Sequence, residues 1–439
     1  MNRSFSPPQS GADVPPFDLH AFVRQVFPYP RSITGDGVRA TIRAIAEHVP
    51  VTIVEVPSGI PVLDWTVPDE WNIRSATISK LSGEVLVDFR GNTLHVVGYS
   101  EPVHRIVSRE ELAQHVHTLQ DQPDVIPYRT GYYARDWGFC LSHNHWMTMN
   151  DDAYRVTIDS SRGPGSLTYG ELFLPGSTPD EILISVHVCH PSLANDNLSG
   201  IAVATALAVR EMTRAERRLG VRFLFLPATI GAITWLARNE EQTSQIRAGL
   251  VLTCVGDEGA FHYKQSRSGS TIDQAVAHVL GHAGVPFEIL PFSPYGYDER
   301  QYGSPGFDLP IGCFMRSVHG TFPEYHTSLD NCEFVKAKAL DESYRMVAQV
   351  LDLLQGNICF RRVDGRGEPQ LGRRGLYRAI AGQREGGGST QSDLLWFLNL
   401  ADGRHSVLDI AERSRIPFSR IQHAAYRAYE ANLVVMEDP

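Results

Sequence analysis

The spacing of apolar positions divides the chain into stretches of different character. Between 17 and 48, Phe17, Phe22, Val23 and Phe27 recur at helical spacing. Ile42, Ile45 and Ala46 do so again after the turn residues of 28–37. Two amphipathic helices are predicted. From 51 to 155 the apolar runs become short: 51–56, 76–78, 85–89 and 94–97, separated by Gly, Pro and Asn. These predict strands of a β-rich module inserted into the chain. From 156 to 360 apolar strands and periodic helices alternate. Strands are expected at 181–187, 222–226 and 248–255, and helices at 197–210 and 272–283. That order predicts an α/β domain with a mostly parallel sheet flanked by helices, completed by 17–50. Residues 361–389 are rich in Gly and end in Gly386, Gly387, Gly388 and Ser389, a linker composition. In 390–439, Leu394, Leu395 and Leu398 mark one helix and 407–411 opens a second. Ser419 is placed to cap a third, and an apolar run follows at 433–436. Three helices and a strand predict a winged helix.

Composition narrows this picture. A chain of 439 residues with 42% hydrophobic and 21% charged residues has the balance of a globular protein of about two to four domains. Lys plus Arg number 40 against 50 Asp plus Glu, a net charge of −10, which argues against a whole-surface nucleic-acid partner. Six cysteines stand far apart with no CxxC pair, so no disulfide framework is implied and a cytoplasmic setting is expected. The Pro-rich start lacks the apolar core of a signal peptide. The apolar stretch 221–237 is interrupted by Arg222 and Pro227, so no membrane span is expected.

The densest chemistry lies in SVHVCHPSLANDNLSG, residues 185–200. A buried strand ends at His187, and a helix opens near 197–199. His187, His190 and Asp196 therefore share a loop at a strand's carboxyl end, where sites form in open α/β sheets. Imidazole and carboxylate are zinc ligands. The ordinary alternative is a core-edge histidine, a surface histidine and a helix-capping aspartate. Two further polar clusters occur at 297–301 and 323–331, the second carrying His326.

These segments together resemble a known family. DWTVPDEWNI (64–73), LHVVGYS (94–100), WGFC (137–140), HVCHPSLANDNLSG (187–200), DERQY (298–302) and EYHTSLDN (324–331) are similar to the M28-type zinc aminopeptidase-like proteins. The closer likeness is to the bacterial branch known as DUF4910 and DUF2172, with an inserted β domain and a C-terminal winged helix. The resemblance implies that His187 stands at the first ligand-histidine position, with His190 as an alternative. It implies Asp196 as the carboxylate that bridges two metals in two-zinc relatives, and His326 as the last histidine ligand. Thr229 and Thr253 stand where two further acidic ligands are expected. One zinc per chain is therefore implied, held by His187 or His190 with Asp196 and His326. Ala228 occupies the position of the general-base Glu. Three readings of it are open: a form inactivated to trap substrate, a natural lineage using Glu299 or Asp257 instead, or a pseudoenzyme that only binds. The intact surroundings favour the first.

Other groups are weighed on the same basis. Arg300 suits a substrate carboxylate, and Asp298 or Glu299 a free amine; a surface charge run is the ordinary alternative. Tyr325 could polarise a carbonyl or simply pack. Asp257 and Glu258 are candidates to support the metal site. Cys189 reads as a buried structural thiol, and His319 as a turn residue. Trp65, Trp71, Trp137 and Trp146 suit core packing, a pocket wall or a homo-oligomer interface. On the third helix of the winged module, Arg420 and Arg427 are few for phosphate contacts, so docking within the protein or to another protein is preferred to DNA. The function expected is hydrolysis of an amide or peptide bond in a small molecule or short peptide, in a setting such as polysaccharide or natural-product biosynthesis. The alternative is a metal-stabilised binding or regulatory protein.

Overall fold

The computed structural model describes residues 14–376 and 391–437. The Gly386–Gly388 stretch of the expected linker lies outside them.

An eight-stranded sheet forms the centre. Its order is Thr52–Pro57, Ser166–Leu174, Gly220–Leu226, Glu181–His187, Ile246–Leu252, Ile311–Met315, Phe261–Lys264 and Phe287–Leu290. The four strands from Gly220–Leu226 to Ile311–Met315 are parallel, and both flanks carry antiparallel pairs. Successive side chains of a strand point to opposite faces. Ile182, Ile184 and Val186 accordingly enter one apolar cluster and Leu183 the other. The first cluster holds the helices Leu19–Val26, Asp36–Ala46, Gly200–Thr213, Thr271–His282 and Ala337–Gly356; the second holds Ile230–Arg238. A sheet covered on both faces explains why its strands read as continuous apolar runs rather than alternating ones. Helix starts follow local chemistry: Asp18 accepts the Ala21 N–H at 2.9 Å, and Ser270 and Asp273 form a reciprocal cap.

The inserted module is a four-stranded antiparallel sheet in the order Val85–Asp88, Glu70–Lys80, Ala153–Gly163, Val103–Ser108. The expected span 51–155 starts one residue before a strand of the main sheet and ends inside a strand of the inserted one. Thr52–Pro57 belongs to the main sheet, paired with Ser166–Leu174, and Ala153–Gly163 lies at the centre of the inserted one. The short apolar runs at 51–56, 76–78 and 85–89 mark strands but not their partners. The run at 94–97 is not a strand. Asn92 caps a short Thr93–His95 turn there, its Oδ1 accepting the Leu94 N–H at 2.9 Å.

In the C-terminal module, Asp402–Ser406 and Val434–Glu437 flank Cys359–Arg362 in a three-stranded sheet. The strand that completes this module thus overlaps the start of the linker expected at 361–389, where the sequence shows only a short mixed run. Its helices are Gln391–Leu400, Val407–Ser414 and Phe418–Glu430. Pro417, not Ser419, precedes the last helix. Proline supplies a preset φ at a helix start, and the first turn has no use for its missing N–H. This module packs on the α/β domain through Thr271–His282 and Ala337–Gly356, and its apolar residues join the first cluster.

Candidate metal centre

The Glu181–His187 strand ends beside Gly220–Leu226, with His187 opposite Leu226. The loop after it leads to Asp196, which is fully buried. The backbone N–H groups of Ala194, Asn195 and Asp196 all donate to the buried Asp330 carboxylate, at 3.1, 2.5 and 2.9 Å. Asn195 in turn donates to Asp257 at 2.8 Å, and Ser317 Oγ donates to the same carboxylate at 2.7 Å. Asp257 therefore braces the loop, while Glu258 is exposed. Gly200, which opens the next helix, allows the close approach. A Cβ there would stand 2.6 Å from the Leu252 carbonyl oxygen.

Three histidines converge on Asp196. His187 Nε2 lies 2.7 Å from Oδ1, His326 Nε2 lies 3.0 Å from Oδ2, and His190 Nε2 lies 4.0 Å from Oδ2. His187, His190 and Asp196 each offer a ligand atom within 4.8 Å of the others. Burial by itself would raise the Asp196 carboxyl. The charges of His190 and His187 and the hydrogen bonds from His187 and His326 outweigh it, holding the group well below the usual carboxylate range. Burial pushes His190 well below its usual value, so its imidazole is neutral at neutral pH. An ionised carboxylate beside the neutral imidazole of His190 is a donor pair that zinc takes.

Outer partners distinguish the histidines, because a ligating imidazole needs its other nitrogen to donate. His190 Nδ1 faces Cys189 Sγ at 3.5 Å, and the thiol donates onward to the Ala228 carbonyl at 3.8 Å. That arrangement leaves Nε2 with a free lone pair. His187 Nδ1 instead meets the Asn197 side-chain NH2 at 3.3 Å, and the same nitrogen donates to Leu252 O at 2.9 Å. His187 Nε2 then carries the hydrogen and donates to Asp196. Burial pushes the Cys189 thiol up, in keeping with a structural role.

Around this core, Tyr297 O–H donates to Asp196 Oδ2 at 2.9 Å and stands 2.8 Å from the Tyr325 hydroxyl. Tyr325 stacks on His326 at 3.9 Å. Burial raises both phenols. Ala228 follows the Gly220–Leu226 strand, adjoining Cys189. Thr229 precedes the Ile230–Arg238 helix, and Thr253 is buried at a strand end. Asp298 is fully buried with no hydrogen-bond partner on either oxygen among the described residues, and burial and Glu299 raise its carboxyl. Glu299 pairs with Lys264. Arg300, next in sequence, is exposed. His319 lies in a turn, 5.0 Å from the Tyr297 ring.

Sequence reasoning passed over Asp330, Tyr297, Tyr128 and Arg31. The first two sit in or beside the motifs quoted above. Arg31 donates to the His190 carbonyl at 2.7 Å from a fully buried position, which a single arginine in a turn-rich stretch does not announce.

A central, mostly parallel sheet with this loop at its carboxyl edge is the fold of the M28 zinc aminopeptidases. A *Bacillus subtilis* zinc aminopeptidase structure matches with a TM-score of 0.55 at 12% identity, covering 76% of this chain and 93% of that one. The chain belongs to the family described as domain of unknown function DUF4910, matched over residues 20–357, followed by a winged helix-turn-helix over 358–436. A *Clostridium acetobutylicum* protein, provisionally named a polysaccharide biosynthesis protein with aminopeptidase-like domain, is 44% identical over 422 residues, covering 95% of this chain and 96% of its own. A crystal structure from that organism, provisionally named a peptidase, matches with a TM-score of 0.90 at 42% identity, covering 95% of this chain and 96% of that one.

Proposed function

We propose that this chain is a zinc-dependent hydrolase of an amide or peptide bond in a small molecule or short peptide. We place it in polysaccharide or natural-product biosynthesis, in the cytoplasm, with turnover impaired by Ala228. The carrying observation is the convergence of three imidazoles on one buried, ionised carboxylate at the carboxyl edge of the sheet. One zinc is held by His190, Asp196 and His326, because threonines stand at the two further acidic positions. His187 supports Asp196 through Oδ1. When bound, zinc supplies an activated water and polarises a carbonyl. The Tyr325 phenol, neutral and beside Tyr297, donates to the substrate carbonyl oxygen. Asp298, a buried carboxylate without a partner, receives a substrate amine. Arg300 holds a substrate carboxylate at the rim. Glu299, paired with Lys264, is a candidate for proton transfer where position 228 has none.

The test has two parts. Elemental analysis of protein purified without a histidine tag is expected to give about one zinc per chain. Ala228→Glu is expected to raise zinc-dependent amide hydrolysis by about 10²–10⁴-fold, the usual worth of general acid–base help. Equal rates in both forms would sink the assignment of position 228. Ala228 also favours a second reading, a metal-stabilised binding or regulatory protein. Zinc binding with no hydrolysis in either form selects that reading.

A further inference from the structure

His326 lies on a loop in the left-handed backbone region, φ 56°, where no helix or strand fixes its direction. The inserted module reaches this loop. Pro127 forms an antiparallel bridge with Thr327, Tyr128 N–H donates to the His326 carbonyl at 2.8 Å, and Ser328 N–H donates to the Ile126 carbonyl at 2.9 Å. Ile126 N–H returns a bond to Ser328 Oγ at 3.0 Å. The side chain that this bridge carries in is Tyr128. Its ring centroid is 5.2 Å from that of His190 and 5.0 Å from that of His326, edge-on to the latter. It therefore touches both histidines that face Asp196 Oδ2. Behind it, Tyr128 and Tyr132 hydroxyls are 3.0 Å apart. Tyr132 packs edge-on to Tyr99 at 5.5 Å, and Tyr99 stacks on Trp71 at 5.7 Å. Trp71 is anchored by its indole N–H to the Ser100 carbonyl at 2.9 Å. An unbroken line of rings runs from the inserted module to the histidines.

We infer that the inserted module is part of the metal site, with Tyr128 as a positioning residue that sets the directions of His190 and His326. The inference rests on the zinc reading above. Imidazole ligands bind well only when their nitrogens are pre-aimed, and partners of ligands typically account for 10–100-fold in metal affinity. The ring's packing carries this role, while its hydroxyl faces Tyr132.

Zinc affinity by chelator competition, and the visible spectrum of the cobalt(II) form, are to be measured on the full chain and on Tyr128→Ala, Tyr128→Phe and Ser328→Ala. Tyr128→Ala is expected to bind zinc about 10–100-fold more weakly and to shift the cobalt spectrum. Tyr128→Phe is expected to match the parent in both readouts. Ser328→Ala loosens the bridge without touching the ring, and is expected to weaken zinc in the same direction while folding normally. It decides the matter if Tyr128→Ala does not fold. Parent-like affinity in the alanine variants overturns the inference, as does a loss in Tyr128→Phe as deep as in Tyr128→Ala. A parent chain that takes up no zinc instead brings down the zinc reading, and this inference with it.

Discussion

Three consecutive backbone N–H groups meet one carboxylate at the fully buried Asp330. Burial pushes its carboxyl up to about 8, and the three donors pull the other way. Replacing Asp330 by Ala leaves two buried donors, the Asn195 and Asp196 N–H groups, without an acceptor, while the Ala194 N–H keeps its bond to the backbone carbonyl of residue 330 at 3.0 Å. At about 1–3 kcal/mol for each unsatisfied group, a loss of about 2 kcal/mol or more is expected. Denaturant unfolding of Asp330→Ala should show it, with zinc uptake falling in parallel because Asp196 is no longer aimed. Unchanged stability would mean that the loop holds its own shape. Asp330 was within reach of a reader of the sequence, since it stands in the EYHTSLDN stretch, yet its role was not. A carboxylate in a polar loop looks the same whether it binds metal, caps a helix or braces a distant turn.

At the scale of elements, the helix Thr271–His282 carries the joint with the winged module. His278 bonds Glu412 through Nδ1, and its Nε2 accepts the Phe418 N–H at 2.9 Å. The His282 ring lies 4.2 Å away. Burial lowers the His278 pKa, more than Glu412 raises it. A histidine with a depressed folded value stabilises the fold above its ordinary value, and that contribution is lost as pH falls through the folded value. Protonation also removes the acceptor for Phe418. The stability advantage of the parent over His278→Gln is therefore expected to be about 1 kcal/mol near neutral pH. It should shrink as pH falls below about 6.5. Melting temperatures of the two proteins across that range check it; a constant gap would show that His278 does not titrate at this joint. The helix itself was legible from its apolar period, and its partner was not. Glu412 and Phe418 stand more than a hundred residues away, and periodicity reports which face is buried but never against what.

For the whole molecule, the first apolar cluster runs without a break from Leu19 to Val434, through the sheet and the helix Ala337–Gly356 into the winged module. Burying a Val, Leu, Ile or Phe side chain is worth about 1.5–3 kcal/mol, so the shared face is a large part of either unit's stability. Calorimetry of the full chain is expected to show one cooperative transition for the α/β domain and winged module together, and two resolved transitions would show that the module melts by itself. Among the described residues, no helix is long and apolar enough to cross a membrane.

The sequence alone determined most of the elements, their order and the loop that carries His187, His190 and Asp196. Those features rest on local chemistry: apolar period, turn residues and polar groups at a strand's end. Only the tertiary structure decided which strand joins which sheet, as with Thr52–Pro57 and Cys359–Arg362. It also decided that His326 and Tyr128, far apart from the loop in the chain, meet at the same carboxylate and its histidines. Sheet partners and converging side chains are set by packing between distant segments, and that information is held by the fold as a unit rather than by any stretch of the chain.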